Sequence, residues 1–148
     1  MRYREEVRDL FSVPEEYSLV HCISANFAMG KGIVVEFNRR FDMKRQLQRG
    51  YPDYLDHYRT LESGGDCILE GRVFNLITKE RYFHKPTIDT MRAALERMRA
   101  ICEEAGILHL AMPMIGAGLD RLLWEEVSAQ IKSVFRETDV DILVCRLK

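Results

Sequence analysis

The chain has 148 residues, enough for one domain with a full core and too few for two. It is 47% hydrophobic and 30% charged, and 22 Lys and Arg nearly balance 23 Asp and Glu, for a net charge of -1. That balance gives no global drive toward nucleic acid, and no apolar run approaches the ~20 residues of a membrane span.

Residues 1–11 are weakly patterned and fit an edge strand followed by a turn at Asp9. Met1 leads straight into Arg2, Arg4 and Glu5, so no secretion leader is expected. After a break at 14–16, the run Ser-Leu-Val-His-Cys-Ile at 18–23 is of buried-strand type. It ends in a glycine loop at 24–32, Ser-Ala-Asn-Phe-Ala-Met-Gly-Lys-Gly. Ile33, Val34, Phe37 and Phe41 then fall on one helical face. The spacing predicts a short helix over 42–49, and Tyr51, Tyr54 and Tyr58 suggest a helical piece packed on the sheet. After a turn at 63–65, residues 67–69 and 73–78 read as strands joined tightly at Glu70-Gly71.

Residues 79–86, Lys-Glu-Arg-Tyr-Phe-His-Lys-Pro, form a polar and aromatic loop. Thr87 is expected as an N-cap with Thr90 in the first turn, and Met91, Leu95, Met98, Ile101 and Cys102 stripe a helix through Glu104 that Gly106 closes. A strand at 107–112 is stopped by Pro113. A second glycine loop, Ile-Gly-Ala-Gly-Leu at 115–119, leads to a helix expected to begin at Asp120. That helix continues over 122–137, with Leu123, Val127, Ile131 and Val134 inward and Trp124 on its first turn, in the core. A last strand covers 140–147. Strands alternating with helices predict a three-layer α/β/α sandwich on a mixed, mostly parallel, six-stranded sheet. Ligands of such sheets bind outside the carboxyl ends of the strands. Both glycine loops and the loop after Lys79 follow strands, so all three can converge on one crevice.

The loop 115–119 is too short for a P-loop and does not match G-x-G-x-x-G. Taken alone, a tight turn explains it as well as a binding site does. Two such loops, each after a strand and before a helix, favour a pair of cradles around a diphosphate. Asp120 stands where a helix cap belongs, and equally at the end of a phosphate loop. Lys79 reads as a solvated charge at a strand end. If held partly desolvated it is instead a nucleophile toward a carbonyl-like carbon, with an adjacent carboxylate to move protons. His21 and His109 fall within apolar strand runs and read as core histidines; His57 reads as exposed, and His84 lies in the Lys79 loop. Cys22, Cys67, Cys102 and Cys145 form no C-x-x-C pair, which argues against zinc or a disulfide framework and for buried thiols in a reducing cytoplasm. Arg39, Arg40, Lys44, Arg45 and Arg49 make a solvated face or a contact to a charged polymer.

Five segments together resemble the macrodomain family: Leu-Val-His-Cys-Ile-Ser at 19–24, Met-Gly-Lys-Gly-Ile at 29–33, Leu-Ile-Thr-Lys at 76–79, His-Lys-Pro-Thr at 84–87 and Met-Pro-Met-Ile-Gly-Ala-Gly-Leu-Asp-Arg-Leu-Leu-Trp at 112–124. More narrowly they resemble its branch containing the terminal ADP-ribose protein glycohydrolase and the DNA ADP-ribosyl glycohydrolase antitoxins. The resemblance covers the chain from about Asp9 to its end and implies an ADP-ribose pocket. By it, Asp9 and the Leu10 backbone recognise adenine. Ser24, Gly32 and Ile33 line the distal ribose and phosphates, and Gly116, Ala117, Gly118 and Leu119 wrap the diphosphate. Lys79 carries over as the nucleophile toward the anomeric carbon, and Asp120 as the acid/base. Two departures stand out: Arg8 replaces the glycine common before the adenine-binding Asp, and Ser24-Ala25-Asn26 does not reproduce the asparagine-rich, water-holding motif of the other hydrolase branch. The second departure favours the lysine route, with no metal or cofactor implied. The resemblance thus implies a hydrolase that removes ADP-ribose from a protein carboxylate ester or a DNA base, with O-acetyl-ADP-ribose as a side substrate. The rival expectation is a non-catalytic ADP-ribose reader. Size favours a monomer.

Overall fold

The computed structural model describes residues 1–147. In chain order the elements are β1 (Arg2–Val7), a 3-10 turn (Leu10–Ser12), β2 (Ser18–Ser24), α1 (Val34–Phe41), α2 (Met43–Gly50), α3 (Tyr54–Tyr58), β3 (Asp66–Glu70), β4 (Val73–Lys79), α4 (Ile88–Ala105), β5 (His109–Met112), α5 (Trp124–Phe135) and β6 (Asp141–Arg146). They form one six-stranded sheet in the order β1-β6-β5-β2-β4-β3. Every pairing is parallel except the β3–β4 hairpin. The expected mixed, mostly parallel α/β/α sandwich is the architecture found.

Strand composition sets strand position. β2, β4, β5 and β6 are near-continuous apolar runs and occupy the interior of the sheet or its covered side, as strands buried on both faces must. β1 carries Arg2, Arg4, Glu5 and Glu6 and forms one edge, where charge discourages pairing with another chain. Alternate residues feed two cores. Leu19, Ile23, Val73 and Ile77 pack under α1, α2 and α3 with Phe37 and Leu47. Val20, Phe74, Leu76 and Leu110 pack under α4 and α5 with Met91, Leu95 and Ile131. α4 starts with the expected Thr87–Thr90 capping box and ends at Gly106.

Several expectations fail locally. α5 starts at Trp124, not at Asp120 or Leu122, and its N-cap, Leu123, is extended and 66% exposed rather than inward. The cause lies upstream. A turn from Gly118 to Arg121, with Arg121 at φ +60°, consumes the residues that periodicity assigned to the helix. Leu122 then takes the inward place, its Cδ1 lying 3.1 Å from where a Cβ on Gly116 would be. Trp124 is half-buried against the core, its Nε1 donating to Glu5 at 3.1 Å. Ile33 caps α1 instead of lying within it. His109 opens β5 and is partly exposed, its ring tilted against Tyr17 at 5.2 Å and its Nδ1 3.6 Å from Asp141, rather than sealed in the core. Tyr51 is exposed, whereas Tyr54 and Tyr58 pack and donate to Asp66 and to the Gly64 carbonyl. His21 is a core histidine as expected: its Nε2 lies 2.5 Å from Asn75 Oδ1, its ring stacks on Phe37, and burial pushes its pKa down to about 4.

Candidate functional site

The site begins with a mismatch of strand lengths. β2 pairs with β5 only through Ser18–Leu110 and Leu19–Ala111, while β2 and β4 run on together to Ser24 and Lys79. The chain leaving β5 folds back beside the carboxyl ends of β2 and β4, where Asp120 reaches Lys79. Register shifts between Ile23 and Ser24, which sets Ser24 opposite Lys79. The Ala25 amide donates to the Lys79 carbonyl at 2.8 Å and the Asn26 amide to the Glu80 carbonyl at 3.2 Å, stitching the first loop to the end of β4.

Lys79 and Asp120 meet here. Lys79 Nζ donates to Asp120 Oδ1 at 2.5 Å across 41 residues of sequence. Both side chains are largely buried, at 13% and 14% exposed. The late start of α5 is what frees Asp120: the residue is in a turn, caps no helix, and spends its carboxylate on the lysine. Beside the pair lies the Cys22 thiol, which burial pushes up, Asp120 pushes further and Lys79 pulls back.

The two glycine loops lie on either side. Gly32 sits at φ +76°, and a Cβ there would stand 3.3 Å from Leu119 Cδ1, so the two loops lie side by side with Leu119 against Gly32. Gly116, at φ +75°, accepts a 2.7 Å bond from the Leu122 amide that closes the second loop. Among the described residues, the amides of Gly116, Gly118 and Leu119 and those of Gly30 to Val34 donate to no backbone carbonyl. Nor does any side chain cap α1. Unclaimed amides in consecutive turns, with a helix start beside them, form a cradle for an anion. In the second loop the cradle is the turn itself, since the helix begins later. Ala117 lies between Gly116 and Gly118, its own amide held by the Met114 carbonyl.

Asp9 and Leu10 stand at the carboxyl end of β1, four strands from β4, a span of about 19 Å at ordinary strand spacing. Asp9 Oδ1 accepts from the Phe11 amide at 3.0 Å, and Leu10 is buried beneath it. The sites named from sequence thus lie along the carboxyl end of the sheet, from β1 to β4.

Three features escaped the sequence. Lys85 donates to the Leu119 carbonyl at 2.9 Å and ties the Lys79 loop to the second glycine loop. Asn26 accepts from Ser24 Oγ at 2.6 Å and from the Ala28 amide, shaping the first loop. Phe27 is buried at φ +61°, a costly conformation for a bulky residue, and stacks on Tyr54. No local pattern marks a loop-to-loop tether or a left-handed aromatic. Of two cavities, one of about 220 Å³ lies at the amino ends of β5 and β6, and one of about 200 Å³ lies between the start of the first glycine loop, at Ala25 to Phe27, and Tyr51 and Tyr54. Among the described residues no cluster of His, Cys, Asp or Glu could hold a metal, and no helix is long and apolar enough to cross a membrane.

No protein-family model matches the chain. It is 44% identical over 142 residues to the ADP-ribose glycohydrolase OARD1 of Bos taurus, covering 94% of this chain and 88% of that protein. It is 25% identical over 142 residues to the DNA ADP-ribosyl glycohydrolase of Mycobacterium tuberculosis, covering 86% of this chain and 37% of that one. The macrodomain of Mycobacterium tuberculosis DarG superposes with a TM-score of 0.78 at 22% identity, over 99% of this chain and 97% of the other. The chain belongs to the macrodomain family. This macrodomain places the ends of β2 and β4, both glycine loops and the Asp9 turn at the carboxyl end of its parallel strands, and brings Lys79 and Asp120 into contact.

Proposed function

We propose that this macrodomain is an ADP-ribosyl glycohydrolase: it binds ADP-ribose and releases it from a modified macromolecule. The Lys79–Asp120 contact carries the reading, because a module that only binds needs neither group. Asp9 and Leu10 take the adenine end, and Gly116, Ala117, Gly118 and Leu119 take the diphosphate together with Gly32 and Ile33. Ser24 and Lys79 take the distal ribose.

In the step we propose, Asp120 accepts a proton from Lys79 Nζ, and the freed amine attacks the anomeric carbon of the distal ribose. The bond from that carbon to the leaving oxygen or nitrogen breaks, and the leaving group takes the electron pair and the proton held by Asp120. Water then adds at the same carbon and gives one proton to Asp120, the carbon–nitrogen bond breaks with its electron pair returning to the lysine, and Asp120 passes that proton to the Lys79 amine, which restores both groups. The substrates are an ester on a protein glutamate or aspartate or a base in DNA, with O-acetyl-ADP-ribose as a side substrate. The reading places the enzyme in a reducing cytoplasm, which its four free cysteines suit, and takes it as a monomer.

The test is Lys79→Ala, assayed for release of labelled ADP-ribose and, by calorimetry, for ADP-ribose affinity. Turnover is expected to fall at least about a thousandfold, as for loss of a nucleophile elsewhere, with affinity nearly unchanged. Full activity in the variant refutes the lysine route. ADP-ribose binding with no release by the unaltered protein reduces it to a reader.

A further inference from the structure

The loop after Lys79 carries two aromatic rings that the hydrolase reading leaves without a task. Tyr82 and Phe83 are 62% and 61% exposed, with ring centroids 5.4 Å apart and planes crossed at 89°. The loop that bears them is anchored. The His84 amide donates to the Arg81 carbonyl at 3.0 Å, Pro86 is buried, and Lys85 is tied to Leu119. The rings are thus held in water beside the site. Leu119, itself 61% exposed, extends the apolar surface.

The charges around the rings are positive and largely uncompensated. Glu80 is the loop's one acid, and Arg59 engages it at 2.7 Å, with Arg81 at 3.9 Å. Lys85 Nζ meets a carbonyl, not a carboxylate, so its charge stays free. Exposed rings interleaved with cations that outnumber the one acid among them, beside the Lys79–Asp120 pair, suit an unpaired nucleic acid strand. Every base has a π face, and phosphates follow at each step. The two rings meet edge to face, and Phe83 meets the His84 ring in the same way at 4.6 Å, so the rings brace one another while more than half of each stays exposed for stacking. A peptide is read by a groove with side-chain pockets, or along a sheet edge; these rings lie open to solvent instead.

We propose that Tyr82 and Phe83 form a stacking platform for the bases flanking the ADP-ribosylated nucleotide of a single strand, with Arg81 and Lys85 meeting its phosphates. The proposal rests on the glycohydrolase reading and names the macromolecular side of its substrate. The platform binds the acceptor and leaves the chemistry to Lys79 and Asp120.

The test compares the unaltered protein with the double variant Tyr82→Leu/Phe83→Leu, which keeps apolar bulk and removes the π faces. Three substrates are offered: ADP-ribosylated thymidine, the same nucleotide within a ten-residue single strand, and a peptide ADP-ribosylated on glutamate. Binding of the unmodified strand is followed in parallel by fluorescence anisotropy, which needs no turnover. The unaltered protein is expected to favour the strand over the nucleoside at least fivefold in kcat/KM, through KM, which is the low end of one stacked base. The double variant loses that advantage and binds the unmodified strand correspondingly more weakly, while its melting temperature and nucleoside turnover stay unchanged. Equal preference in both proteins overturns the proposal, and so does a loss confined to the peptide. If no substrate is turned over, the glycohydrolase reading fails, and the anisotropy still decides the platform on its own.

Discussion

The Lys79–Asp120 pair makes a prediction in which stability and catalysis are separable. At 2.5 Å and an effective dielectric of about 20, two unit charges attract by about 7 kcal/mol. Withdrawing both ions from water takes back several kcal/mol, so the pair contributes little net stability. Removing one partner has a different effect, because it strands a carboxylate or an ammonium in a site that is six-sevenths closed. Lys79→Ala is expected to cost about 2–3 kcal/mol, somewhat below the value for a sealed pair because the crevice admits some water. That is a fall of about 5–10 °C in melting temperature for a chain of this size. Asp120→Ala is expected to cost a similar amount. The double variant Lys79→Ala/Asp120→Ala has no stranded charge and is expected to be at least as stable as either single variant, a coupling of about 2 kcal/mol in the cycle. Thermal melts followed by circular dichroism measure all four proteins. Additive losses, with the double variant melting lowest by the sum of the two, refute the contact as an ion pair in solution and remove the basis for a proton passing between the two groups.

Further expectations follow from the same geometry. Gly116→Ala forces a side chain to φ +75°, at about 1–2 kcal/mol, whereas Gly118→Ala meets open space at an ordinary φ and leaves the melting temperature within about 2 °C; equal effects from both refute the loop description. His21 binds a proton less readily when folded, at about 4 against about 6.5 unfolded, so its contribution is fully present above pH 6.5 and is lost as pH falls toward 4. Across that window the loss amounts to about 3 kcal/mol, and His21→Gln should flatten the dependence of melting temperature on pH there. Burial pushes the thiols up, Cys145 to about 11, Cys102 to about 12 and Cys22 and Cys67 further. Alkylation at pH 8 is therefore expected to label the native protein slowly and all four cysteines in denaturant, as mass spectrometry would report.

Which parts of this molecule could be read from its sequence follows from how local their causes are. The Thr87–Thr90 box and Gly106 mark α4 because capping is settled within a few residues. The run Val73–Lys79 reads as a buried strand because apolar side chains on both faces leave no other solution. The start of α5 is hidden from the sequence because its cause is not local. The sequence from Asp120 satisfies helical periodicity, but Arg121 turns left-handed and Leu122 fills the space beside Gly116, so the helix waits until Trp124. Gly116 and Gly118 look equivalent in the sequence, yet only Gly116 needs a glycine's backbone. Lys85 reaching Leu119 depends on two loops meeting, which no spacing within either one encodes.

The late start of α5 bears directly on the chemistry. Had α5 begun at Asp120, the carboxylate would have turned back on the first amides of its own helix, as capping side chains do. It would then have been a structural group, with Lys79 left facing solvent. The added turn moves the helix start onto Leu123, whose side chain caps nothing, and so gives up a stabilising contact of about 1 kcal/mol. What the fold gains is a carboxylate free to meet an amine that enters from another strand. Restoring the cap should show the exchange. Leu123→Asp or Leu123→Ser, at an exposed position of extended backbone, is expected to raise the melting temperature by about 2–4 °C with turnover unchanged, since Asp120 stays in its turn. If either variant instead lowers turnover without affecting ADP-ribose affinity, the helix start and the carboxylate are coupled, and the separation argued here between capping and chemistry is wrong.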